Sequence, residues 1–375
     1  MSGYQYVRTS AALDDVMTTL ALDGAVAVDT EAASFHRYRD RIYLIQLSNR
    51  SLTAIVDPLA LETLAPLGAL LAEPRVEKVF HDADYDLRVL DRDYGFRAAN
   101  LFDTRVAAQL AGEPALGLAA LLEKYAGVRL AKEFQKADWS RRPLTDAMLE
   151  YAADDTRHLL GLRDRLSARL EELGRLSWAA EEFRRLEGLR WNAASDGPDA
   201  YLRVKGARAL ADRQRAALGI LYDWRERVAA EQDRAKFRVV GNDVLVAVSR
   251  ALPQTVAALV GTPGVPASLA ERYQAPFLDA VSQALALPEA ALPRFERPKA
   301  FPRDAAFEAR VERLKNARNE VARALGLDPG VLCSRGILEA VARAMPADPA
   351  ALAAIPELRR WQVSVLGPTL LAALA

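Results

Sequence analysis

Short apolar runs bounded by turn residues predict β-strands in the first part of the chain. These runs are Ala25–Asp29, Arg41–Ser48, Thr53–Asp57 and Lys78–His81. Helical periodicity follows the third and the fourth run, at Leu59–Leu71 and Asp82–Tyr94. Three early strands followed by strand–helix alternation predict a mixed β-sheet with helices on its faces, which is an α/β architecture.

Helical periodicity dominates after about Leu101. The clearest segment is Thr145–Leu173, where Thr145 can act as the N-cap and apolar residues recur at helical spacing. Gly174 fits the end of this helix. The rest of the chain reads as helix, so the sequence predicts an α/β domain followed by all-α structure.

Two turn-rich segments, Asn192–Asp199 and Leu292–Pro298, divide the helical part. The stretches that they separate resemble each other weakly, because each opens with a long charged helix (Ala209–Glu231 and Ala305–Leu325) and continues with a short one. This pattern favours an internal repeat of about 75–85 residues, although two small Ala-rich helical domains can look alike without being repeats. The predicted domains are residues 1–195, 206–290 and 301–375.

Composition narrows the choice of function only a little. Hydrophobic residues make up 51% and charged residues 27% of the chain, and the formal net charge is zero. A neutral chain does not coat nucleic acid by bulk charge, but it can still be a nuclease with a local acidic site. One cysteine and three histidines exclude an internal disulfide and disfavour a typical zinc site. Neither a long apolar run nor a signal-like N-terminus is present, so we expect a cytoplasmic protein, and we expect a monomer.

Acidic residues occur at spacings that place them together. Asp29 and Glu31 lie two residues apart at a strand end, so both point to one face. Tyr151 and Asp155 lie four residues apart in a helix and share its face. Each pair alone has a structural interpretation, as incidental acids at a strand end or as a core tyrosine with a hydrated hydroxyl.

The helix after the fourth strand starts with three aspartates. Asp82 can serve as its N-cap, and Asp84 can stabilise the first turn through the helix dipole. Asp86 falls one turn after Asp82 and can face back toward the strand ends. The sequence therefore favours Asp86 as the functional aspartate.

Asp29, Glu31, Asp86 and Asp155 give four carboxylates from three separate elements. Mg²⁺ and Mn²⁺ prefer oxygen ligands, which an all-carboxylate site supplies. Two such ions about 3.5–4 Å apart can activate a water and stabilise the leaving oxygen of an in-line displacement. Phosphodiester hydrolysis is the reaction that this arrangement most often serves.

These segments resemble the three exonuclease motifs of the DEDD superfamily, in order and at suitable separations. The segments are Asp29–Glu31, the stretch around Asp86, and Tyr151–Asp155, whose tyrosine is typical of the DEDDy branch. The sequence is more closely similar to the ribonuclease D family, through Leu44–Ser48, Phe102–Thr104 and Asp138–Leu144. This similarity spans roughly residues 1–190, and the two helical stretches resemble HRDC domains in length and pattern.

The resemblance implies a ribonuclease H-like mixed-sheet exonuclease domain followed by two all-α, HRDC-like helical bundles. It implies a metal-dependent 3′→5′ exoribonuclease that releases 5′-nucleoside monophosphates from RNA with a single-stranded 3′ end, with tRNA precursors as substrates. Asp29, Glu31 and Asp155 would hold the metal that activates water, Asp29 and Asp86 would serve a second metal, and Tyr151 would orient the water. Two alternatives stay open, namely an exonuclease acting on DNA and a non-catalytic RNA- or protein-binding module.

Candidate substrate contacts lie next to these motifs. Phe35 and His36 could flank the terminal nucleotide, His81 could contact its ribose or base, and Arg141 and Arg142 could pair with phosphate. Alternatively, Phe35 and His36 belong to an ordinary surface loop, and His81 is a core histidine. Arg141 and Arg142 are then a solvated pair on the surface. A basic stretch of the first repeat could also contact RNA, although interleaved acids favour a solvated helix face. Its residues are Lys205, Arg208, Arg213, Arg215, Arg234, Lys236 and Arg238.

Overall fold

The computed structural model describes residues 3–131, 133–192, 197, 199–294 and 304–375. Within them, six strands form one sheet in the order β1–β4–β3–β2–β5–β6. The strands are β1 Gln5–Val7, β2 Ala25–Ala32, β3 Ile42–Ser48, β4 Thr53–Val56, β5 Glu77–Phe80 and β6 Leu101–Asp103. β3 is antiparallel to both β2 and β4, whereas the other pairings are parallel, which confirms the predicted mixed sheet.

Helices cover both faces of this sheet. They are α1 Ser10–Ala21, α2 Ala65–Ala72, α3 Asp84–Tyr94, α4 Thr104–Ala111, α5 Leu118–Ala126, α6 Asp146–Arg157, α7 Leu159–Glu172 and α8 Leu176–Glu187. Thr145 caps α6 as expected, since its side chain accepts a hydrogen bond from the backbone N–H of Met148. The single helix predicted from Thr145 to Leu173 is interrupted by a turn at His158, where φ is −103° and ψ is −1°.

Three elements were not predicted, namely the strands β1 and β6 and the twelve-residue helix α1. The two strands have three residues each, and they exist because they pair with strands that are distant in sequence. The helix predicted at Leu59–Leu71 begins only at Ala65, because Asp57 accepts a hydrogen bond from the Leu59 backbone and forms a turn there.

The face of the sheet that carries the site is covered by α6. A compact apolar cluster lies between them and includes Leu44, Ile55 and Trp139. α6 contributes the small residues Ala152 and Ala153, which let the helix pack closely on the strands. A buried hydrogen bond of 2.8 Å between the hydroxyls of Ser48 on β3 and Thr156 on α6 fixes the position of the helix along the strand.

The C-terminal part consists of two all-α domains, as predicted. The first contains α9 Asp212–Glu231, α10 Lys236–Val239, α11 Asn242–Ala251, α12 Val256–Val260, α13 Ala267–Arg272 and α14 Gln274–Ala286. The second contains α15 Ala305–Leu325, α16 Pro329–Leu332, α17 Arg335–Ala344, α18 Pro349–Ala353 and α19 Arg360–Leu374. In each domain the long first helix packs against the last one. The predicted boundaries at Asn192–Asp199 and Leu292–Pro298 fall largely on residues outside the described ones.

The second helical domain packs directly on the α/β domain. Arg175 is buried and donates hydrogen bonds to the carbonyl oxygens of Leu110 and Leu325, which belong to the two domains. Trp178 stacks on Trp361 with ring centroids 4.9 Å apart. These contacts orient the helical domain without taking up the face that α6 covers.

Gly112 of the α/β domain lies close to the backbone of Gly326 in the second helical domain. Its φ is +82°, and a Cβ atom there would lie 2.5 Å from the carbonyl oxygen of Gly326. We expect Gly112→Ala to destabilise the protein by about 2–4 kcal/mol, because backbone strain and a steric clash add together. Gly127→Ala is the matched control, since Gly127 has a φ of +67° and open space around it. Thermal unfolding of both variants measures the difference, and equal losses would contradict the proposed clash.

Candidate active site

The second half of β2 carries two of the predicted carboxylates. Strand alternation places Asp29 and Glu31 together on the face that α6 covers. The β2–β3 register shifts between Glu31 and Ala32, which marks a β-bulge at this end of the strand. Asp155 reaches the same place from α6. Carboxylate oxygens of Asp29, Glu31 and Asp155 lie within 4.8 Å of one another, so they form a group that can hold a cation.

Asp86 lies beside this group, in the first turn of α3. Its side chain is buried, and its Oδ1 accepts a hydrogen bond from Thr30 Oγ1 at 2.5 Å. Asp84 is exposed instead and binds Arg88 one turn later, with Oδ1 at 2.7 Å from Nε. Asp86 is therefore the aspartate of this turn that adjoins the carboxylates of β2.

Asp103 positions the start of α3, a role that sequence reasoning had given to Asp82. Its carboxylate accepts hydrogen bonds from the backbone N–H groups of Asp82 and Ala83, and also caps the following helix α4 through Arg105 and Val106. Asp82 has a φ of +68° and does not cap α3. The strand-end sequence Phe102-Asp103-Thr104 was the available signal, because an aspartate before a helix is a common N-cap.

Burial and crowding raise the pKa of every carboxyl group in this set. For Asp29, burial acts first and the charge of Asp155 second. For Glu31, burial is followed by the charges of Asp29, Asp155 and Asp86. Burial and Asp29 raise the pKa of Asp86, and burial raises the pKa of Asp155 to about 7, with Asp154 contributing. Since metal ligands must be deprotonated, a divalent cation would displace protons here and bind more tightly as the pH rises through about 7.

Known proteins match this chain over nearly its whole length. A family model described as 3′-5′ exonuclease matches residues 4–171, and the HRDC domain model matches residues 214–281 and 307–374. Ribonuclease D of Gluconacetobacter diazotrophicus is 33% identical and covers 98% of this chain and 91% of that protein. Ribonuclease D of Escherichia coli is 34% identical over 78% of this chain and 77% of that protein. The chain belongs to the ribonuclease D family.

Solved structures agree with this assignment. The crystal structure of E. coli RNase D, described as an exoribonuclease involved in structured RNA processing, has a TM-score of 0.73 at 30% identity, covering 99% of this chain and 98% of that chain. The catalytic core of RRP6 from Trypanosoma brucei has a TM-score of 0.63 at 29% identity, covering 76% of this chain and 80% of that chain. As a ribonuclease D family member, the protein is a 3′→5′ exoribonuclease with an exonuclease domain followed by HRDC domains.

Tyr151 lies one helical turn before Asp155 in α6. Its ring packs against Phe134 and Trp139, with centroids 5.8 Å and 6.1 Å away. Burial raises the pKa of Tyr151, and the neighbouring charges of Asp155, Glu31 and Asp29 raise it further. The hydroxyl therefore keeps its proton at neutral pH and can donate a hydrogen bond.

The structure places Phe35 and His36 at a contact with the first helical domain. Phe35 is 44% exposed and meets Phe237 of α10 edge-on, with ring centroids 6.1 Å apart. The His36 ring bonds the carbonyl of Lys136 at 2.9 Å, and the His36 carbonyl accepts the backbone N–H of Ala235. Phe35 thus keeps an exposed ring surface, whereas the His36 ring is engaged within the protein.

His81 and Arg142 are held by internal contacts rather than left free for substrate. His81 Nδ1 lies 2.9 Å from Thr104 Oγ1, and burial lowers the pKa of His81 to about 4, so the ring is neutral. Arg142 donates to both carboxylate oxygens of Asp57 and to the carbonyl oxygens of Tyr43, Trp139 and Arg141. All its N–H groups are used, which argues against the predicted phosphate contact. Arg141 is exposed and pairs with Asp138.

Proposed function

We propose that this chain removes nucleotides from RNA 3′ ends by metal-dependent hydrolysis and releases 5′-nucleoside monophosphates. The observation that carries the proposal is the meeting of Asp29, Glu31 and Asp155 within 4.8 Å in a member of the ribonuclease D family. Asp86 is buried and the other three acids are partly buried, so the four repel one another, and divalent cations relieve that repulsion. A purely binding module does not require such a group.

The donor set supports Mg²⁺ or Mn²⁺, because it consists of carboxylate oxygens without sulfur or imidazole. We assign Asp29, Glu31 and Asp155 to one ion, and Asp29 together with Asp86 to a second. When bound, the two ions would supply an activated water and neutralise the charge that develops on the leaving oxygen. Thr30 donates a hydrogen bond to the Asp86 carboxylate and holds it against β2, and Asp29 is near enough for its charge to raise the pKa of Asp86.

Tyr151 would orient the attacking water. Its protonated hydroxyl lies in the same turn as Asp155, and the rings of Phe134 and Trp139 fix its orientation. A rigid donor at this place reduces the freedom of the nucleophile before reaction. The bound metals would make this water easier to deprotonate, and its proton would pass to solvent.

The 3′ strand would approach past the exposed rings of Phe35 and Phe237. Phe35 follows Glu31 by four residues, so it lies within about 15 Å of the carboxylates along the chain. The Lys136 ammonium lies 5.7 Å from the Phe35 ring centroid and adds a positive charge to this surface. Exposed aromatic rings beside a cation are the usual means of holding single-stranded nucleic acid.

The basic stretch of the first helical domain supports RNA contact less well. Arg213 donates to three carbonyl oxygens of its own domain, Arg215 is buried, and Lys236 pairs with Glu226. These side chains serve the fold of the domain. Within this proposal, the contribution of the domain to RNA binding is therefore assigned to Phe237 rather than to bulk positive charge.

Phe237→Ala is expected to raise the KM for single-stranded RNA about ten-fold with little change in kcat. The reason is that stacking of a base on an aromatic side chain contributes about 1–3 kcal/mol. Initial rates on a labelled oligonucleotide measure both constants. Val260→Ala, which removes an exposed apolar side chain from α12 of the same domain, is the control. If neither variant changes the KM, the RNA strand does not pass over Phe237.

The physiological substrates would be RNA precursors with an unpaired 3′ end, tRNA precursors among them, in the cytoplasm. Degradation of matched RNA and DNA oligonucleotides with Mg²⁺ or Mn²⁺ tests the proposal. Preferential release of ribonucleoside 5′-monophosphates from the 3′ end supports it. Equal or faster degradation of DNA would support the alternative DNA exonuclease, and absence of any metal-dependent product would overturn the proposal.

A further inference from the structure

Gln46 is an unexplained polar residue in the centre of the sheet. It lies in β3, whose sequence is otherwise apolar from Ile42 to Leu47, and its side chain is fully buried. Neither Oε1 nor Nε2 has a hydrogen-bond partner in the protein. A buried amide without partners costs free energy that leucine or methionine at the same position would not cost.

The strand register places this amide at the carboxylate group. Gln46 is directly opposite Asp29 on β2 and opposite Ile55 on β4. Directly opposed residues of antiparallel strands share a face, with Cβ atoms about 4.5–5.5 Å apart. That face is the one covered by α6, since Ile55 belongs to the cluster under this helix. Gln46 therefore lies under α6, beside Asp29.

The next polar side chain of β3 on this face already has a hydrogen-bond partner of its own. Ser48, the next β3 residue on this face, is bonded to Thr156 of α6. α6 contributes Ala152 and Ala153 to the same cluster, and neither carries a polar side-chain atom. Trp139 Nε1 in the same cluster also lacks a partner, but it only donates, so it cannot accept a hydrogen bond from Gln46 Nε2. The carboxylates of the site can accept that hydrogen bond.

We propose that Gln46 is a positioning residue of the metal site. Its Nε2 donates a hydrogen bond to the Asp29 carboxylate in the metal-loaded protein and directs the other carboxylate oxygen toward the cation. Partners of this kind fix ligand orientation and strengthen metal binding. The inference rests on the metal dependence in the proposed function and adds a residue that does not itself touch the metal.

The test compares Gln46→Met with the wild-type full-length chain by calorimetric titration with Mn²⁺ alone. We expect Mn²⁺ affinity to fall about 10–100-fold. In EDTA the variant should melt at the same or a higher temperature than wild type, because an unpaired buried amide has been removed. Ile55→Met is the matched control, as it places the same side chain in the same cluster on the neighbouring strand, and its Mn²⁺ affinity should equal that of wild type.

The outcomes separate the possible explanations. Unchanged Mn²⁺ affinity in Gln46→Met, with or without a lower melting temperature in EDTA, overturns the inference and leaves Gln46 a packing residue. An equal loss in Ile55→Met also overturns it. If Gln46→Met does not fold, Gln46→Asn decides instead, because its amide is too short to reach Asp29 and should weaken Mn²⁺ binding. A wild-type chain that binds no Mn²⁺ would refute the proposed function itself.

Discussion

Asp29→Asn is expected to lower kcat by about a thousand-fold or more. Asp29 is the carboxylate assigned to both ions, and removal of about 4 kcal/mol of transition-state stabilisation corresponds to a thousand-fold loss. The metal-free protein should not lose stability in this variant. Burial and Asp155 disfavour ionisation of Asp29, so a neutral amide relieves repulsion, and the variant should melt in EDTA at the same or a higher temperature. Single-turnover assays and calorimetry measure the two effects.

Asp84→Asn provides the matched control for this experiment. Asp84 lies two residues before Asp86, is exposed, and pairs with Arg88 on the surface. Its replacement should leave kcat within about two-fold, since exposed ion pairs contribute little. A large loss in Asp84→Asn combined with a small loss in Asp86→Asn would show that the second-motif assignment is wrong. A fully active Asp29→Asn variant would refute the carboxylate site.

The local spacing of residues was enough to predict which acidic side chains lie together. Asp29 and Glu31 on one strand, and Tyr151 and Asp155 on one helix, share faces for reasons of backbone geometry alone. The mixed sheet and the two helical domains followed from hydrophobic periodicity in the same way. Such features depend on neighbours in sequence, and therefore a single sequence reveals them.

The supporting contacts could not be predicted, because they join residues that are distant in sequence. Thr30 and Asp86 are 56 positions apart, and Arg142 and Asp57 are 85 positions apart. The three-residue strands β1 and β6 also depend on distant partners. Arg142 is the clearest example. The neighbouring sequence and the family resemblance favoured a contact with phosphate, whereas the fold pairs Arg142 with the buried carboxylate of Asp57.

Arg142→Met should therefore act on stability more than on substrate binding. Asp57 is almost fully buried, and hydrogen bonds from Arg142 and Tyr6 outweigh the effect of burial, so that its pKa lies below the usual value. Without Arg142 this charge loses its main partner, which costs about 3 kcal/mol in buried pairs. We expect the exonuclease domain to melt roughly 6–12 °C lower. Calorimetry measures this shift. The transition whose melting temperature rises on addition of Mn²⁺ is that of the exonuclease domain, because a ligand stabilises the domain that binds it.

Arg141→Met separates the structural role from a phosphate role. Arg141 is adjacent and exposed, and its pairing with Asp138 is a surface contact, so its loss should change stability by less than about 1 kcal/mol. The double variant Asp57→Asn, Arg142→Met should lose less stability than Arg142→Met alone, because no uncompensated charge remains. Below its melting temperature, Arg142→Met should keep the wild-type KM for RNA. A KM that rises while the melting temperature stays constant would instead establish the phosphate contact predicted from the sequence, and the Asp57 pairing would then be incidental.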